Sequence, residues 1–442
     1  MRMKKILSTV LCVMALLCVG SSAWAFSYND HVSVAPNGKG DLLFVPLYVA
    51  ADGWTTRIAI INTSTTRSTV AKIVVKSYYF SIELRDFLIY LSPADMWIGY
   101  LRYDNKTGKT EVFSTDSSVL YDSGIAWRDL EAPFASITNP LHLELSAVKC
   151  ANDWIGMGYV EVIEGWSDTI AFTSEEKADK QKRGKRIATA YEEQAAAGIY
   201  NTQNILAGVA DIDVEVSGVS WTASSAAVAL KNYRSESYLT AENETPLGSN
   251  AHNNLREIDA ALSKQNIALP FINNADDGFT AHMFTFPTKS SVYYQQSDKN
   301  CIFVDVLGNS LYAKSDYFPA GEIVKYNPSV FDNDEKQTAN PFSPIKAYTL
   351  PAEVSIVNIS TVVFGQGWIN YALPNPRVTT ANNSSGQPLS YTGAPVLPFI
   401  IDFKSAMSIK NGSYADGVVS GQVGGATVVF DSYQYSSSYA TS

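Results

Sequence analysis

The sequence predicts a mainly β protein: two immunoglobulin-like β-sandwich domains with helical insertions between them. Three observations support this fold class. Apolar and polar residues alternate through the first part of the chain, turn residues separate the alternating runs, and two stretches with a helical pattern interrupt them. A period of two places successive side chains on opposite faces of a strand, and short strands at this spacing are typical of a sandwich.

The clearest alternation lies between residues 42 and 100. Residues 57–62 and 71–76 each alternate between two unlike sets of side chains, and the polar segment 63–68 between them has the length of a hairpin loop. A third run, 82–91, becomes wholly apolar before a Ser-Pro pair ends it. Three paired strands with a buried face are enough to nucleate a sandwich.

The 442-residue chain is longer than one hydrophobic core usually supports, so two domains are expected. The predicted segments are a signal peptide (1–25), an N-terminal β-sandwich (26–172), a helix-containing insertion with a β-hairpin (173–270), a C-terminal β-sandwich (271–430) and a Ser/Tyr-rich tail (431–442).

Two helices are predicted inside the insertion. Thr173 and Glu176 form a capping box, and helix-forming residues without proline follow it. This helix is rich in lysine and arginine, which indicates either a solvated face or an electrostatic contact with an acidic neighbour or an anionic polysaccharide. Leu255, Ile258 and Leu262 recur at helical spacing and predict a second helix with one buried stripe.

The first 25 residues have the pattern of a secretory signal peptide. Three basic residues precede an apolar run over 6–19, and Ala23-Trp24-Ala25 forms a small-x-small cleavage site. The chain is therefore expected to be exported. No later apolar run reaches the roughly eighteen residues that a membrane-spanning helix needs, so no transmembrane segment is predicted.

The mature protein is predicted to be acidic. The chain has 33 Lys and Arg against 43 Asp and Glu, for a formal charge of −10. The signal peptide contains three basic residues and no acidic ones, so its removal changes the charge to −13. Such a surface disfavours nucleic acid as a partner.

Two of the four cysteines, Cys150 and Cys301, lie in the mature sequence. An exported protein meets an oxidising environment, so a disulfide between them is a candidate. A bridge that closes such a long loop contributes about 4 to 5 kcal/mol in the chain-entropy model. Two separate buried thiols are the alternative.

The sequence contains no arrangement of residues that indicates an enzyme. The 4 histidines have no companion at metal-ligand spacing, and there is no G-x-S-x-G motif. Glu161 and Glu164 fall on opposite faces of their predicted strand, so they could not flank a glycosidic bond together. We therefore expect a non-enzymatic protein that needs no cofactor.

Two oxygen-rich loops are candidate Ca²⁺ sites. One contains Asp276 and Asp277, and the other contains Asp332 and Asp334. Neither loop has the spacing of an EF-hand, and ordinary turn chemistry is the alternative explanation.

Trp54 and Trp97 are candidate ligand-binding residues. Each lies in a predicted loop beside an acid and a glycine, and an exposed indole ring can stack on the C–H surface of a sugar. The alternative is that these rings fill the space between two sheets, as a buried tryptophan does in immunoglobulin domains.

Several short segments spread over most of the mature chain carry packing and turn signatures. They are residues 42–46, 53–56, 60–64, 86–93, 158–164, 285–289 and 393–399. In this order they resemble a group of exported β-sandwich proteins, described as cell-surface or surface-layer-like, of Gram-negative bacteria. The resemblance implies a location at the cell surface, outside the cell or in the periplasm, and it brings no catalytic residue.

Together these observations predict an exported, non-enzymatic, structural or adhesive protein of the cell surface. Its expected partners are copies of itself, which could assemble through exposed sheet edges, other cell-surface components, or polysaccharide. The alternative is a carbohydrate-binding surface protein that uses exposed tryptophans. A hydrolase built from dispersed residues is a third possibility.

Overall fold

A computed structural model describes part of the chain. The described residues are 31–50, 53–78, 81, 83–104, 106, 109–114, 116, 119–120, 156–199, 201–216, 219–233, 239, 252–274, 278–288, 295–296, 301–302, 324–338, 349–350, 353–357, 359, 362–373, 381–382, 388–389, 392–403, 418–423 and 426–431. The predicted signal peptide, Cys150, Asp276 and Asp277 lie outside them, as does the tail beyond Asp431.

The first half of the described chain contains strands β1 (Ser33–Val34), β2 (Leu42–Val49), β3 (Trp54–Asn62), β4 (Ser68–Ser77), β5 (Glu83–Leu91), β6 (Met96–Asp104), β7 (Lys109–Phe113), β8 (Val119–Leu120), β9 (Met157–Asp168), β10 (Leu206–Val216), β11 (Val219–Ala226) and β12 (Val228–Lys231). The helices are α1 (Ser174–Ala178), α2 (Lys180–Ala196) and α3 (His252–Leu262).

The second half contains strands β13 (Ser263–Lys264), β14 (Asn266–Asn274), β15 (Gly278–Thr285), β16 (Gln295–Gln296), β17 (Cys301–Ile302), β18 (Val324–Lys325), β19 (Asn327–Asp332), β20 (Gln337–Thr338), β21 (Thr349–Leu350), β22 (Val354–Val357), β23 (Gln366–Ala372), β24 (Ala381–Asn382), β25 (Pro388–Leu389), β26 (Ala394–Pro395), β27 (Leu397–Phe403), β28 (Val418–Val423) and β29 (Ala426–Asp431).

The fold is mainly β with several antiparallel sheets, as predicted. Sheet A has the strand order β1-β12-β2-β9-β4-β5-β8, and sheet B has the order β11-β10-β3-β6-β7. Sheet C has the order β20-β19-β23-β14-β15-β22, with β27 also paired to β15. The immunoglobulin-like form and the segment boundaries remain predictions.

Sheets A and B pack face to face over a shared apolar core. Each strand contributes alternate side chains to this core because successive side chains leave a strand in opposite directions. From sheet A these are Leu43, Val45, Ile73, Phe87 and Val162, and from sheet B they are Ile58, Ile60, Trp97, Leu101 and Leu206. The alternation that predicted strands in the first part of the chain therefore marks a real buried face.

The opposite face of sheet A is also buried. Helices α2 and α3 lie against it, and Tyr191 of α2 contacts Trp166 with 6.2 Å between ring centroids. The Tyr191 hydroxyl also accepts a hydrogen bond from the Leu239 amide at 2.8 Å, so it anchors that residue. Burial on both faces explains why all ten residues of β4 are buried.

A buried lysine on this second face is held in an ion pair. Lys72 is fully buried and forms an ion pair with Asp86 of the adjacent strand. A buried charge without a partner would be strongly destabilising, so this pair is what allows a lysine in the middle of sheet A.

Sheet C also contacts sheet A, and Leu397 of its strand β27 packs into the apolar cluster on this second face. The amide of Val354 donates to the carbonyl oxygen of Tyr78 at 3.0 Å, and the Thr285 hydroxyl donates at 2.5 Å to the carbonyl of Pro46. Sheet C has its own apolar core on its inner face, with Phe271, Phe284, Val330, Ile369 and Tyr371 among its members. Its other face is partly exposed.

The predicted helix after Thr173 is present in two pieces. The Thr173 hydroxyl accepts from the Glu176 amide at 3.2 Å, and the Glu176 carboxylate accepts from the Thr173 amide at 2.7 Å, which completes the capping box. Asp179 ends α1 and caps α2. Lys180 then contacts Asp95 and Asp116, each at 2.9 Å, so the basic helix does meet acidic neighbours.

Among the described residues, no helix is long and apolar enough to cross a membrane.

We expect Ile73→Ala to lower the free energy of unfolding by about 2–5 kcal/mol, because Ile73 is 1% exposed in the core between sheets A and B. The matched control is Ile199→Ala, since Ile199 is 46% exposed and its truncation should change stability by less than about 0.5 kcal/mol. Urea unfolding of both variants measures the difference. Equal effects would contradict the assignment of this core.

Candidate functional site

The structure corrects the prediction that Trp54 and Trp97 bind a ligand. Trp54 begins β3 and Trp97 lies in β6, and each is only 2% exposed. Trp97 packs against Phe87 with 5.4 Å between ring centroids. Trp97 lies in the core between sheets A and B, and Trp54 is buried at the start of β3, so neither can offer a free face to a sugar.

The sequence around each tryptophan explains this burial. Trp54 is in phase with Thr56 and Ile58 on the inward face of β3, and Trp97 is in phase with Leu101. Gly99, two residues beyond Trp97, has no side chain where the indole lies, and a Cβ there would collide with that ring. Gly99 therefore serves the packing of the core around Trp97.

Asp332 and Asp334 lie at the turn between β19 and β20. The Asp332 carboxylate accepts hydrogen bonds from the amides of Asp334 at 2.9 Å and Lys336 at 2.8 Å, which is turn chemistry. In the described ranges no three His, Cys, Asp or Glu residues converge as a metal site would require. The calcium prediction for this loop has no support from these contacts, and that for Asp276 and Asp277 lies outside the described residues.

Two buried carboxyl groups, Asp41 and Glu164, lie side by side at one end of sheet A. They are 2% and 0% exposed. Their side chains are hydrogen-bonded to each other, and the amides of Gln203 and Asn204 donate to them from the segment before β10. Burial raises the pKa of Glu164, while the hydrogen bond with Asp41 opposes that rise.

This arrangement fastens the segment 201–205 to sheet A. The Gln203 amide donates to both oxygens of Glu164 and the Asn204 amide donates to Asp41, so backbone N–H groups of this segment compensate part of the cost of burying the two carboxyl groups. Both acids are covered by protein on all sides, so a substrate has no access to them. We interpret the pair as structural.

The largest exposed hydrophobic side chain in the part of the chain that the structure describes is Trp368, which is 40% exposed. It lies on the outer face of sheet C. Strand pairing places Phe331 of β19 on one side of it and Pro270 of β14 on the other. We call this face the Trp368 surface. It consists of Phe331, Trp368, Pro270, Ser329, Asn370, Ala268, Asn327, Ala372 and Asn266.

The two aromatic rings of the Trp368 surface are stacked. The centroids of Phe331 and Trp368 are 4.3 Å apart, and their planes differ by 14°. Since one face of the indole is covered by Phe331, its other face is directed across the sheet toward β14. Pro270 and Ala268 of β14 are exposed and have small side chains, so the surface next to this face of the indole is apolar and lower than the ring.

Uncharged polar side chains lie next to the aromatic pair, further along the same strands. Asn370 lies between Ser329 and Ala268, and one row further Asn327 and Asn266 flank Ala372. Amide and hydroxyl groups both donate and accept hydrogen bonds. An aromatic face next to such groups suits a ligand that has an apolar C–H face and many hydroxyls.

Buried residues hold the strands beneath the Trp368 surface. The His282 Nε2 donates to the carbonyl of Pro270 at 2.8 Å, because a carbonyl oxygen can only accept. Its Nδ1 therefore accepts from the Tyr371 hydroxyl at 2.7 Å. Burial raises the pKa of Tyr371 well above its ordinary value, with a smaller contribution from Tyr326, so the hydroxyl stays protonated.

Gly367 allows β19 to approach β23 closely next to the aromatic pair. Its φ of +155° is unfavourable for residues with a side chain, and a Cβ there would collide with the Phe331 carbonyl oxygen. The stack of Phe331 on Trp368 therefore depends on a glycine at this position.

Comparison with known proteins identifies no relative: no family model, curated protein or solved structure matches this chain. The resemblance to exported surface proteins therefore remains a prediction from sequence segments.

Sequence reasoning missed Trp368 as a site residue, although a signal was present. Trp368 alternates in phase with Gln366 and Asn370, which are polar, and out of phase with the apolar Ile369 and Tyr371. A tryptophan in phase with the polar residues of a strand is expected to face solvent.

Glu164→Gln tests the buried acid pair through pH. The pKa of Glu164 is raised, so above the ordinary pKa range of a glutamate the folded state keeps a proton that the unfolded chain releases. The free energy of unfolding of the wild type should therefore fall as pH rises through this range, by up to about 1.4 kcal/mol per pH unit. Glutamine keeps the size and shape of the glutamate side chain without a titrating group. The variant should lose this slope, measured by urea unfolding from acid to alkaline pH.

The exposed Glu193→Gln is the matched control and should keep the wild-type slope. If Glu164→Gln had the same pH dependence as wild type, burial would not raise the pKa of Glu164 as described.

Gly367→Ala should lower the free energy of unfolding by about 1–3 kcal/mol, because alanine adds both backbone strain and a collision with β19. Gly365→Ala is the control, since a Cβ at Gly365 would lie 3.7 Å from that of Asn274, an ordinary contact. Chemical denaturation compares the two. Two equally stable variants would show that β19 can move aside.

Proposed function

We propose that this is an exported, non-enzymatic adhesive protein of a Gram-negative cell surface that binds polysaccharide through the Trp368 surface. The export signal, the predicted pair of immunoglobulin-like sandwiches and the segment resemblance support the location. The chemistry of the Trp368 surface supports the ligand. This proposal keeps the predicted role of exposed tryptophans and moves it to a different residue.

The observation that carries the proposal is the exposed indole stacked on Phe331. Phe331 fixes the ring in one orientation, so a ligand need not order it on binding. The open face beside Pro270 can stack on the apolar face of a pyranose ring. Sugar hydroxyls would then lie within reach of Asn370 and its neighbours.

The nine residues of the Trp368 surface carry no charge, which favours a neutral polysaccharide over an anionic one. Their Asn and Ser groups do not titrate near neutral pH and cannot act as general acid and base in glycoside hydrolysis. The surface is therefore suited to binding a glycan without cleaving it.

Trp368→Ala should abolish binding to neutral glycans that wild type recognises on a broad glycan array, because it removes the stacking face. Loss of one buried aromatic contact weakens binding by at least about tenfold. The stability of the variant should stay close to wild type, since Trp368 is partly exposed. Ile199→Ala removes an exposed apolar side chain outside the Trp368 surface; it is the control and should bind as wild type.

The glycan array is followed by calorimetric titration of the best glycan into each variant. A wild-type protein that binds no glycan, or a folded Trp368→Ala protein that binds as well as wild type, would refute the proposal.

A further inference from the structure

The outer face of sheet B is divided into an apolar half and a polar half. Cross-strand pairing forms two apolar rows, Ala226, Val209, Ala59 and Ile98 in one and Ala207, Ile61 and Met96 in the next. Val209 is 37% exposed and Met96 is 39% exposed. The inner face of sheet B lies against sheet A, so these rows form a patch of adjacent apolar side chains on the outer face, with Val209 and Met96 exposed and Ala59 buried between its neighbours.

The polar half contains two cross-strand ion pairs beside the aromatic pair of Tyr100 and Phe113. Arg57 of β3 pairs with Asp211 of β10, and Arg102 of β6 donates to Glu111 of β7 at 2.7 Å. The Ser224 hydroxyl also donates to Asp211 at 2.6 Å. Positive and negative groups therefore alternate across neighbouring strands instead of forming a region of one sign.

This charge pattern favours a second copy of the same chain as the occupant. In a two-fold dimer a surface meets itself, so acids and bases must be present together for the contact to be favourable. The mature chain has a formal charge of −13, and two copies repel each other over most of their surface. On the outer face of sheet B, Arg57 and Arg102 offset neighbouring acids.

The size of the face also fits a dimer. Five strands spaced about 4.8 Å apart, with about nine residues at 3.4 Å each, cover on the order of 700 Å². A standard interface buries about 800 Å² on each partner. Two such faces can pack as sheets do in a sandwich, about 10 Å apart.

We propose that the outer face of sheet B is a self-association surface, on which a second copy of this chain packs with its own sheet B. The apolar rows around Val209 meet across the two-fold axis, and the ion-paired rows border them. This inference is independent of the proposed glycan binding, because it involves a different sheet.

The test is sedimentation equilibrium of the mature protein from about 1 µM to about 100 µM. Wild type should show a concentration-dependent dimer. Val209→Glu and Val209→Lys should each raise the dimer dissociation constant at least about tenfold, since either charge would be buried in the interface. Ile199→Glu places the same charge on an exposed isoleucine elsewhere and should leave the constant unchanged.

Thermal unfolding shows whether each variant is folded, and Met96→Glu in the second apolar row provides a replacement if a Val209 variant is not. A wild-type protein that stays monomeric over the whole range would overturn the proposal. A dimer whose dissociation constant is unchanged in the folded variants would overturn it as well.

Discussion

Sheet A must be buried on both faces, and the arrangement of the other elements follows from this requirement. Its central strand β4 has ten residues, all buried, so apolar side chains leave it in both directions. Sheet B covers one face, while helices α2 and α3 and sheet C cover the other. Among the sheets that the structure describes, the outer faces of B and C are broad surfaces left for partners, and both proposed binding surfaces lie there.

The burial of sheet A on both faces also explains why charged groups inside the protein, such as Lys72 and Glu164, need partners. Lys72 is buried but paired with Asp86, and Glu164 is buried but hydrogen-bonded to Asp41 and to the Gln203 amide. In each case the cost of removing water is reduced by a partner from another segment of the chain. These groups stabilise particular strand neighbours, because a shifted register would leave them without those partners.

Alternation in the sequence predicted the strands well, because it is a local consequence of burial. The runs at 57–62 and 71–76 are present as parts of β3 and β4, and the capping box at Thr173 starts a helix. The prediction that Trp54 is exposed was wrong because it relied on the acid and the glycine next to it in the sequence. Its position in the alternation, in phase with Thr56 and Ile58, indicates the buried face of β3. The acid pair was not predicted, since Asp41 and Glu164 are brought together by contacts between distant segments, about which local pattern carries no information.

The position of β9 has a consequence for the timing of folding. This strand pairs with β2 on one side and β4 on the other, yet it follows both by many residues. Hairpin β4–β5 can form early from local contacts, whereas sheet A stays split until Met157–Asp168 arrives. High contact order of this kind slows folding. A ribosome or secretion pore that has released only the residues before Met157 therefore holds a chain whose main sheet is still open.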